Sequence, residues 1–202
     1  MRSVNSEQGP AWLVLPTFNE AENVTPVVIA ALAKLPSSGR LLIVDDNSPD
    51  GTGEIADRLA AEHEQVEVLH RPRKEGLGPA YIAGFRRALA GGAGLIVEMD
   101  ADFSHDPAYL LRLLDAAGRA DLAIGSRYVP GGGVGDWGAL RRAISRGGSA
   151  YARVVLGVDV NDLTGGFKCF RREVLEAIDL DSVQAKGYAF QVELTYRAVQ
   201  KG

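Results

Sequence analysis

Short apolar runs recur along the chain, each followed by a longer stretch with helical spacing. Ala11–Leu15 (AWLVL), Arg40–Val44 (RLLIV), Val66–Leu69 (VEVL), Leu95–Met99 (LIVEM) and Asp121–Gly125 (DLAIG) read as strands. Helices are predicted over Glu20–Leu35, Thr52–Glu64, Gly78–Ala90 and Pro107–Ala117. Ile55, Ala56 and Leu59 fall on one helical face, and Pro107 sits at a first helical position with Asp106 as its cap. A last helix starts near Gly187, with Phe190, Leu194, Arg197 and Ala198 as its packing face. Before it, Asp162–Lys168 reads as a turn leading into a short apolar run, Phe167–Phe170. Strands alternating with helices imply an α/β fold: a mostly parallel central sheet with helices on both faces.

Composition narrows the class. The 202 residues carry 46% apolar and 24% charged side chains, as a globular domain does. Cys169 is the single cysteine, which excludes a disulfide scaffold, and with three histidines it argues against a structural zinc site. The longest charge-free stretch is 12 residues, too short to span a bilayer, and Met1–Pro10 lacks the apolar core of a signal peptide. A net charge of −4 disfavours a nucleic-acid binder. One segment departs from that balance: Trp137–Val158 carries Arg141, Arg142, Arg146 and Arg153 and no acid. On a helix, Leu140, Ile144, Gly147, Tyr151 and Val154 form an apolar stripe opposite Arg142, Arg146 and Arg153. Arg141 and Ser145, one turn apart between those faces, are candidates for holding an anion.

In open α/β sheets ligands bind beyond the carboxyl ends of the strands. Three of those ends are acidic: Pro16-Thr17-Phe18-Asn19-Glu20, Val44-Asp45-Asp46-Asn47-Ser48 and Asp100-Ala101-Asp102. A fourth ends in Gly125-Ser126-Arg127. Clustered carboxylates repel unless a cation sits among them. Asp100 and Asp102 at a strand exit can share a hard cation such as Mg²⁺, which takes few carboxylates and completes its shell with phosphate oxygens. Asp45–Thr52 is turn-rich, with a helix capped near Asp50 or Thr52, and Asp46 can accept hydrogen bonds from a base or ribose. Neither a dinucleotide fingerprint nor a Walker A sequence is present. His63 and His70 read as surface residues and His105 as structural.

These residues together resemble the inverting GT-A glycosyltransferases of family 2. Arg71-Pro72-Arg73, Gly76-Leu77-Gly78-Pro79-Ala80-Tyr81, Gly125-Ser126-Arg127-Tyr128, Ile144-Ser145-Arg146-Gly147, Asp162–Phe167 and Lys186–Gln191 narrow the resemblance to the dolichol- or polyprenol-phosphate mannosyltransferases. It covers residues 11–202, after a flexible segment 1–10. The resemblance implies a GT-A fold and transfer of mannose from GDP-mannose to a polyprenyl monophosphate, giving a β-linked product. It implies Pro16, Phe18, Glu20, Val44, Asp46, Asp100, Ala101, Asp102, Ser104 and Arg127 as nucleotide-sugar residues, with Phe18 in place of the more usual tyrosine. Asp100 and Asp102 would hold Mg²⁺ or Mn²⁺, Asp102 and Arg127 would be catalytic, and Arg127, Arg141 and Ser145 would meet the acceptor phosphate. It further implies a peripheral place on the cytoplasmic face of a membrane, with a small membrane-anchoring subunit or domain among its partners. The family continues past position 202 with a strand, an Arg and a Lys, so the domain is expected to lack its C-terminal end. The rival readings are another polyprenyl-phosphate glycosyltransferase using UDP-glucose or a different sugar, and an inactive nucleotide-binding regulatory module.

Overall fold

The computed structural model describes residues 9–127, 147, 156–185 and 187–201. Arg141, Arg142, Ser145, Arg146 and Arg153 lie outside them, so the predicted basic helix does too. Strands β1 (Ala11–Thr17), β2 (Arg40–Asp45), β3 (Val66–His70), β4 (Leu95–Glu98), β5 (Leu122–Ile124) and β6 (Lys168–Arg171) form one sheet in the order β3-β2-β1-β4-β6-β5. β3, β2, β1 and β4 run parallel, and β6 runs antiparallel to both β4 and β5. The helices are α1 (Val24–Leu32), α2 (Thr52–Glu62), α3 (Leu77–Ala90), α4 (Leu110–Ala117), α5 (Arg172–Ala177) and α6 (Tyr188–Lys201).

Successive strand side chains point to opposite faces, so each central strand feeds two cores. Leu13, Leu15, Leu41, Ile43, Leu95 and Val97 pack against Val24, Val27 and Val28 of α1, Ala56 and Leu59 of α2, and Leu110, Leu113 and Leu114 of α4. Trp12, Val14, Leu42, Val44 and Ile96 pack on the other face against Tyr81 and Phe85 of α3, Val174 and Leu175 of α5, and Phe190 and Leu194 of α6. Both faces of β1 are therefore apolar, and its seven residues are all buried. The strand runs through Pro16 because pairing with β4 stops at Val14, so the missing N–H leaves no gap on that side. α3 lies close on β1 at Gly84, where a Cβ would stand 2.3 Å from Val14 Cγ1.

Two expectations need correction. The run after the Asp162 turn is a strand, β6, inserted between β4 and β5. Its four residues alternate, Cys169 entering one core and Phe170 the other, but charged residues at both ends hide the strand pattern. The first helix is shorter than Glu20–Leu35. Residues 20–23 form a turn in which Asn23 N and Val24 N donate to the Glu20 carbonyl, and helix proper starts at Val24. Asp106 caps the turn at Pro107 as expected, accepting from Ala108 N at 2.8 Å.

Candidate active site

The loops after β1 and β2 are laced together by carboxylates and hydroxyls. Asp45 accepts from Thr17 Oγ1 at 3.2 Å, Ser48 Oγ at 2.5 Å and Ser48 N at 3.1 Å. Asp50 accepts from Thr52 Oγ1 at 2.6 Å and from Ala21 N at 3.1 Å, and the Thr52 hydroxyl chiefly holds its carboxyl below the usual range. Ser48 Oγ accepts from Asn19 N at 3.1 Å, and Thr52 Oγ1 from Glu20 N at 2.9 Å. Asn19, Asn47 and Phe103 are the non-glycine residues with positive φ among the described residues, and all three sit in loops at this end of the sheet. Asparagine tolerates that conformation; Phe103, 46% exposed, does so at a cost.

These loops and the loop before α3 enclose a pocket of about 240 Å³ lined by Pro16, Thr17, Phe18, Glu20, Asp46, Lys74, Gly76, Leu77, Ala80, Asp100, Ala101 and Asp102. Seven expected nucleotide-sugar residues thus meet in one place: Pro16, Phe18, Glu20, Asp46, Asp100, Ala101 and Asp102. Val44 does not line the pocket; it is buried beneath it in the α3-side core. Ser104 is exposed beside the pocket and donates its N–H to Asp102 Oδ1 at 2.9 Å. A larger cavity, about 560 Å³, opens near the amino ends of the strands, lined by Trp12, Arg40, Glu67 and Arg87 among others. Its Arg40 and Arg87 are both paired with Glu67, so it offers no convergent chemistry.

Asp46 is less available than the sequence implies. Arg71 Nη1 donates to Asp46 Oδ1, and Glu75 N to Oδ2 at 3.3 Å, while Arg71 Nη2 reaches Glu75 Oε2 at 2.6 Å. Lys74 Nζ stands 3.6 Å from the centroid of the Phe18 ring. The cation that Asp46 requires therefore comes from the 71–75 loop, whose residues had no assigned role. The signal that could have found them is its density of charge, Arg71, Arg73, Lys74 and Glu75, just before a glycine-led helix.

The acidic pair is asymmetric. Asp100 Oδ1 accepts from Tyr81 Oη at 2.8 Å, and burial raises the Asp100 carboxyl above its usual range. Asp102 is exposed; some burial raises its pKa, but hydrogen bonds from Ser104 outweigh this and hold it below the usual range. His105 Nδ1 accepts from Asp100 N at 3.1 Å, which leaves the ring proton on Nε2, and burial lowers the imidazole pKa. Its ring stacks on Phe167 with centroids 5.4 Å apart. His105 is thus a brace for the acidic loop, as expected. Among the described residues no group of three or more His, Cys, Asp or Glu side chains could hold a metal. The two carboxylates present, Asp100 and Asp102, are hard oxygen donors of the kind a divalent cation takes few of when phosphate oxygens and water complete its shell.

Arg127, after β5, is locked by the Asp162 turn. Its Nε donates to Asp162 Oδ2 at 2.8 Å, Nη2 to Asp162 Oδ1 at 2.5 Å and to Thr164 Oγ1 at 2.7 Å, and its backbone N to Asp162 Oδ2 at 3.0 Å. The Asp162 side chain is fully buried; burial pushes its pKa up, but the Arg127 hydrogen bonds and charge hold it below the usual range. Phe167 packs on Gly125, where a Cβ would lie 2.5 Å from the ring, so the turn and the end of β5 fit only with glycine there. Asp162, read as a turn residue in the sequence, is the anchor of the predicted catalytic arginine.

Residues 12–179 match Glycosyl transferase family 2. The chain is 50% identical to polyprenol monophosphomannose synthase of Mycolicibacterium smegmatis, over 94% of this chain and 72% of that protein. It is 50% identical to undecaprenyl-phosphate mannosyltransferase of Micrococcus luteus, over 94% of this chain and 77% of that protein. Among solved structures, glucosyl-3-phosphoglycerate synthase of Mycobacterium tuberculosis in complex with UDP superposes with a TM-score of 0.69 at 22% identity, over 96% of this chain. A complex of the same enzyme with Mn²⁺, UDP-glucose and phosphoglyceric acid gives 0.69 at 21% identity. The chain spans 66% of each of those solved chains, and at this identity the likeness speaks to fold alone.

Proposed function

The chain belongs to glycosyl transferase family 2, and from that premise we propose that it transfers mannose from GDP-mannose to a polyprenyl monophosphate with inversion. The observation that carries this reading is the 50% identity to two mannosyltransferases whose names give a polyprenyl-type phosphate acceptor. The pocket supports it chemically. A phosphate monoester is largely ionised at neutral pH, since its second pKa is about 6. It needs no general base to attack the anomeric carbon, and the only histidine near the pocket has its Nδ1 committed to the Asp100 N–H. The lipid phosphate oxygen forms the new bond to mannose C1 as the bond to the GDP oxygen breaks, so the reaction demands charge neutralisation on the leaving diphosphate.

Asp100 and Asp102 would hold Mg²⁺ or Mn²⁺ on the pocket wall, and that cation would offset the charge released on the diphosphate. Phe18 and Lys74 also line the pocket, and Lys74, seated on the Phe18 ring, adds a cation to it. Arg127, oriented by Asp162, stands at the end of β5, on the far side of β6 from the acidic pair, and is the arginine this proposal assigns to the transfer step. Arg141 and Ser145 remain the acceptor-phosphate residues of this proposal. No helix among the described residues is long and apolar enough to cross a membrane. Contact with the lipid at a membrane surface, through Arg142, Arg146 and Arg153 or through an anchoring partner, belongs to the same proposal.

The test is transfer of labelled mannose from GDP-mannose to undecaprenyl phosphate in detergent, with Mg²⁺ or Mn²⁺ and with UDP-glucose as the competing donor. Formation of a mannosyl phospholipid that stops on chelation supports the proposal. Faster transfer from UDP-glucose would replace the donor, and nucleotide binding without transfer to lipid would make the chain a binding module.

A further inference from the structure

Behind the acidic pair lies a set of buried polar groups that the transfer chemistry above does not use. Lys168 of β6 and Glu98 of β4 are 0% exposed, and Gln191 of α6 is 2% exposed. Glu98 and Lys168 are register partners across the antiparallel β4–β6 pair. Lys168 Nζ donates to the Gln191 carbonyl at 3.0 Å and to Gln191 Oε1 at 2.6 Å. Thr195 Oγ1, one turn on in the same helix, donates to that carbonyl at 2.8 Å, so the tie between the first turn of α6 and β6 is made by the two Lys168 bonds. The Gln191 amide lies beside the Glu98 carboxyl without reaching hydrogen-bond geometry.

Gln191 also closes on the acidic loop. A Cβ on Gly166 would stand 3.4 Å from Gln191 Nε2, 3.4 Å from Asp100 Oδ2 and 3.2 Å from His105 Cε1. The bare glycine lets the helix amide and the loop approach each other. On its other side, a Cβ on Gly165 would stand 3.3 Å from the Asp162 carboxyl, which holds Arg127. The stretch Asp162–Lys168 therefore touches Arg127, the acidic loop and α6 in turn.

An ammonium buried in a sheet costs several kcal/mol unless it is well paired, and an apolar residue would fill the position without that penalty. Burial draws Lys168 down to about 8 and pushes Glu98 up to about 8. The charge is retained where it faces Glu98, Asp162 and Asp100, with Arg127 as the opposing cation.

We infer that Lys168 is a positioning residue for the transfer step: it ties the first turn of α6 to β6, so that Gln191, Gly166 and Asp162 hold Asp100 and Arg127 at a fixed spacing. The inference rests on the transfer reading given above. Misplacing a reacting or neutralising group by about 1 Å can slow a reaction on the order of 100-fold. The loss should fall mainly on kcat, because Phe18, Lys74, Asp46 and Asp102, which also line the pocket, are untouched and only the share of binding that depends on Asp100 weakens.

The test compares the parent chain with Lys168→Met and with the double variant Glu98→Leu, Lys168→Met, which puts an apolar pair of similar volume in the same register. Replacing buried ionisable side chains by apolar ones of similar volume is often neutral or stabilising. The expected result is a double variant that melts within about 3 °C of the parent. It should keep a thermal shift with GDP and Mn²⁺ at least as large as that of Asp100→Asn and a KM for GDP-mannose within about twofold, yet show a kcat roughly 10- to 100-fold lower. A double variant that transfers at the parental rate would show that Lys168 only supports the fold, and would overturn the inference. Loss of the GDP shift with kcat unchanged would overturn it as well. Should the double variant not fold, Gln191→Leu carries the test, since it leaves the Lys168 bond to the main chain; a parental kcat there overturns the inference. A parent that binds GDP but transfers no mannose refutes the transfer reading and this one with it. A parent and double variant equally fast refute this one alone.

Discussion

Asp162→Asn keeps the shape of the side chain and removes its charge. In the parent, the Asp162 side chain is 0% exposed and accepts three hydrogen bonds from Arg127, whose own side chain is 19% exposed. Breaking a buried pair by neutralising one partner costs about 3–5 kcal/mol. Arg127 retains some solvent and its bond to Thr164, which lowers the expected cost to about 2–3 kcal/mol. For a chain of this size, 1 kcal/mol moves the melting midpoint by about 2–4 °C, so the variant should melt about 4–12 °C lower at pH 7. The sign with pH follows from linkage. Asp162 has a folded pKa below its unfolded value of about 3.9, so its contribution is present above that value and is lost as pH falls through the folded pKa. Parent and variant should therefore converge in acid, the parent losing more stability below about pH 4. The assay is thermal unfolding by fluorescence from neutral to acid pH, with transfer measured at pH 7. Midpoints within 1 °C at pH 7 (roughly 0.3–0.5 kcal/mol) and parallel acid limbs would refute the anchor role.

Asp102→Asn should abolish most of the thermal shift produced by GDP with Mn²⁺, while Asp100→Asn, whose carboxyl already accepts from Tyr81, should reduce it less; equal shifts in parent and Asp102→Asn would remove Asp102 from metal binding. Cys169 is buried and its thiol is pushed up by burial, so native protein should resist a disulfide reagent that reacts at once with urea-unfolded chain; fast labelling of the native state would contradict its placement in the core. Gly84→Ala would drive a methyl to 2.3 Å from Val14 Cγ1 and should cost about 1–3 kcal/mol, read as a lower urea midpoint at unchanged slope.

The sheet was largely legible because β1, β2 and β4 are continuous apolar runs, which only a strand covered on both faces needs at that length. β6 was not, because KCFR is four residues long and its buried lysine makes sense only beside Glu98, 70 positions earlier. The same distinction separates the parts of the site. The segments that hold Pro16, Phe18, Glu20, Asp46, Asp100 and Asp102 stood out because strand ends are where ligands bind, a rule that can be applied to a local pattern, while the roles of Pro16, Phe18 and Glu20 came from the family resemblance alone. Asp162 and Arg71 were passed over because their meaning lies in partners far along the chain: Asp162 with Arg127 at a separation of 35, Arg71 with Asp46 at 25. Turn chemistry accounts for an aspartate before two glycines, and nothing local says that its carboxyl turns inward.

The carboxylates at this end of the sheet sort themselves by what satisfies them. Asp45 and Asp50 are consumed by hydroxyls and backbone N–H groups that fix the loops after β1 and β2. Asp46 and Asp162 are neutralised by Arg71 and Arg127. Asp100 has one oxygen on Tyr81, and Asp102 accepts from Ser104 while remaining exposed. The repulsion expected of so many acids is thus removed everywhere except at the pair on the pocket wall. A fold selected only for stability would have no reason to leave that pair for last, since a lysine or arginine one turn away would quiet it. Instead Lys168 faces Asp100 from inside the sheet, where it braces the loop and cannot reach solvent. A site arranged in this way retains negative charge on its open side, and that is the property needed to take up a divalent cation together with a diphosphate, each offsetting the other.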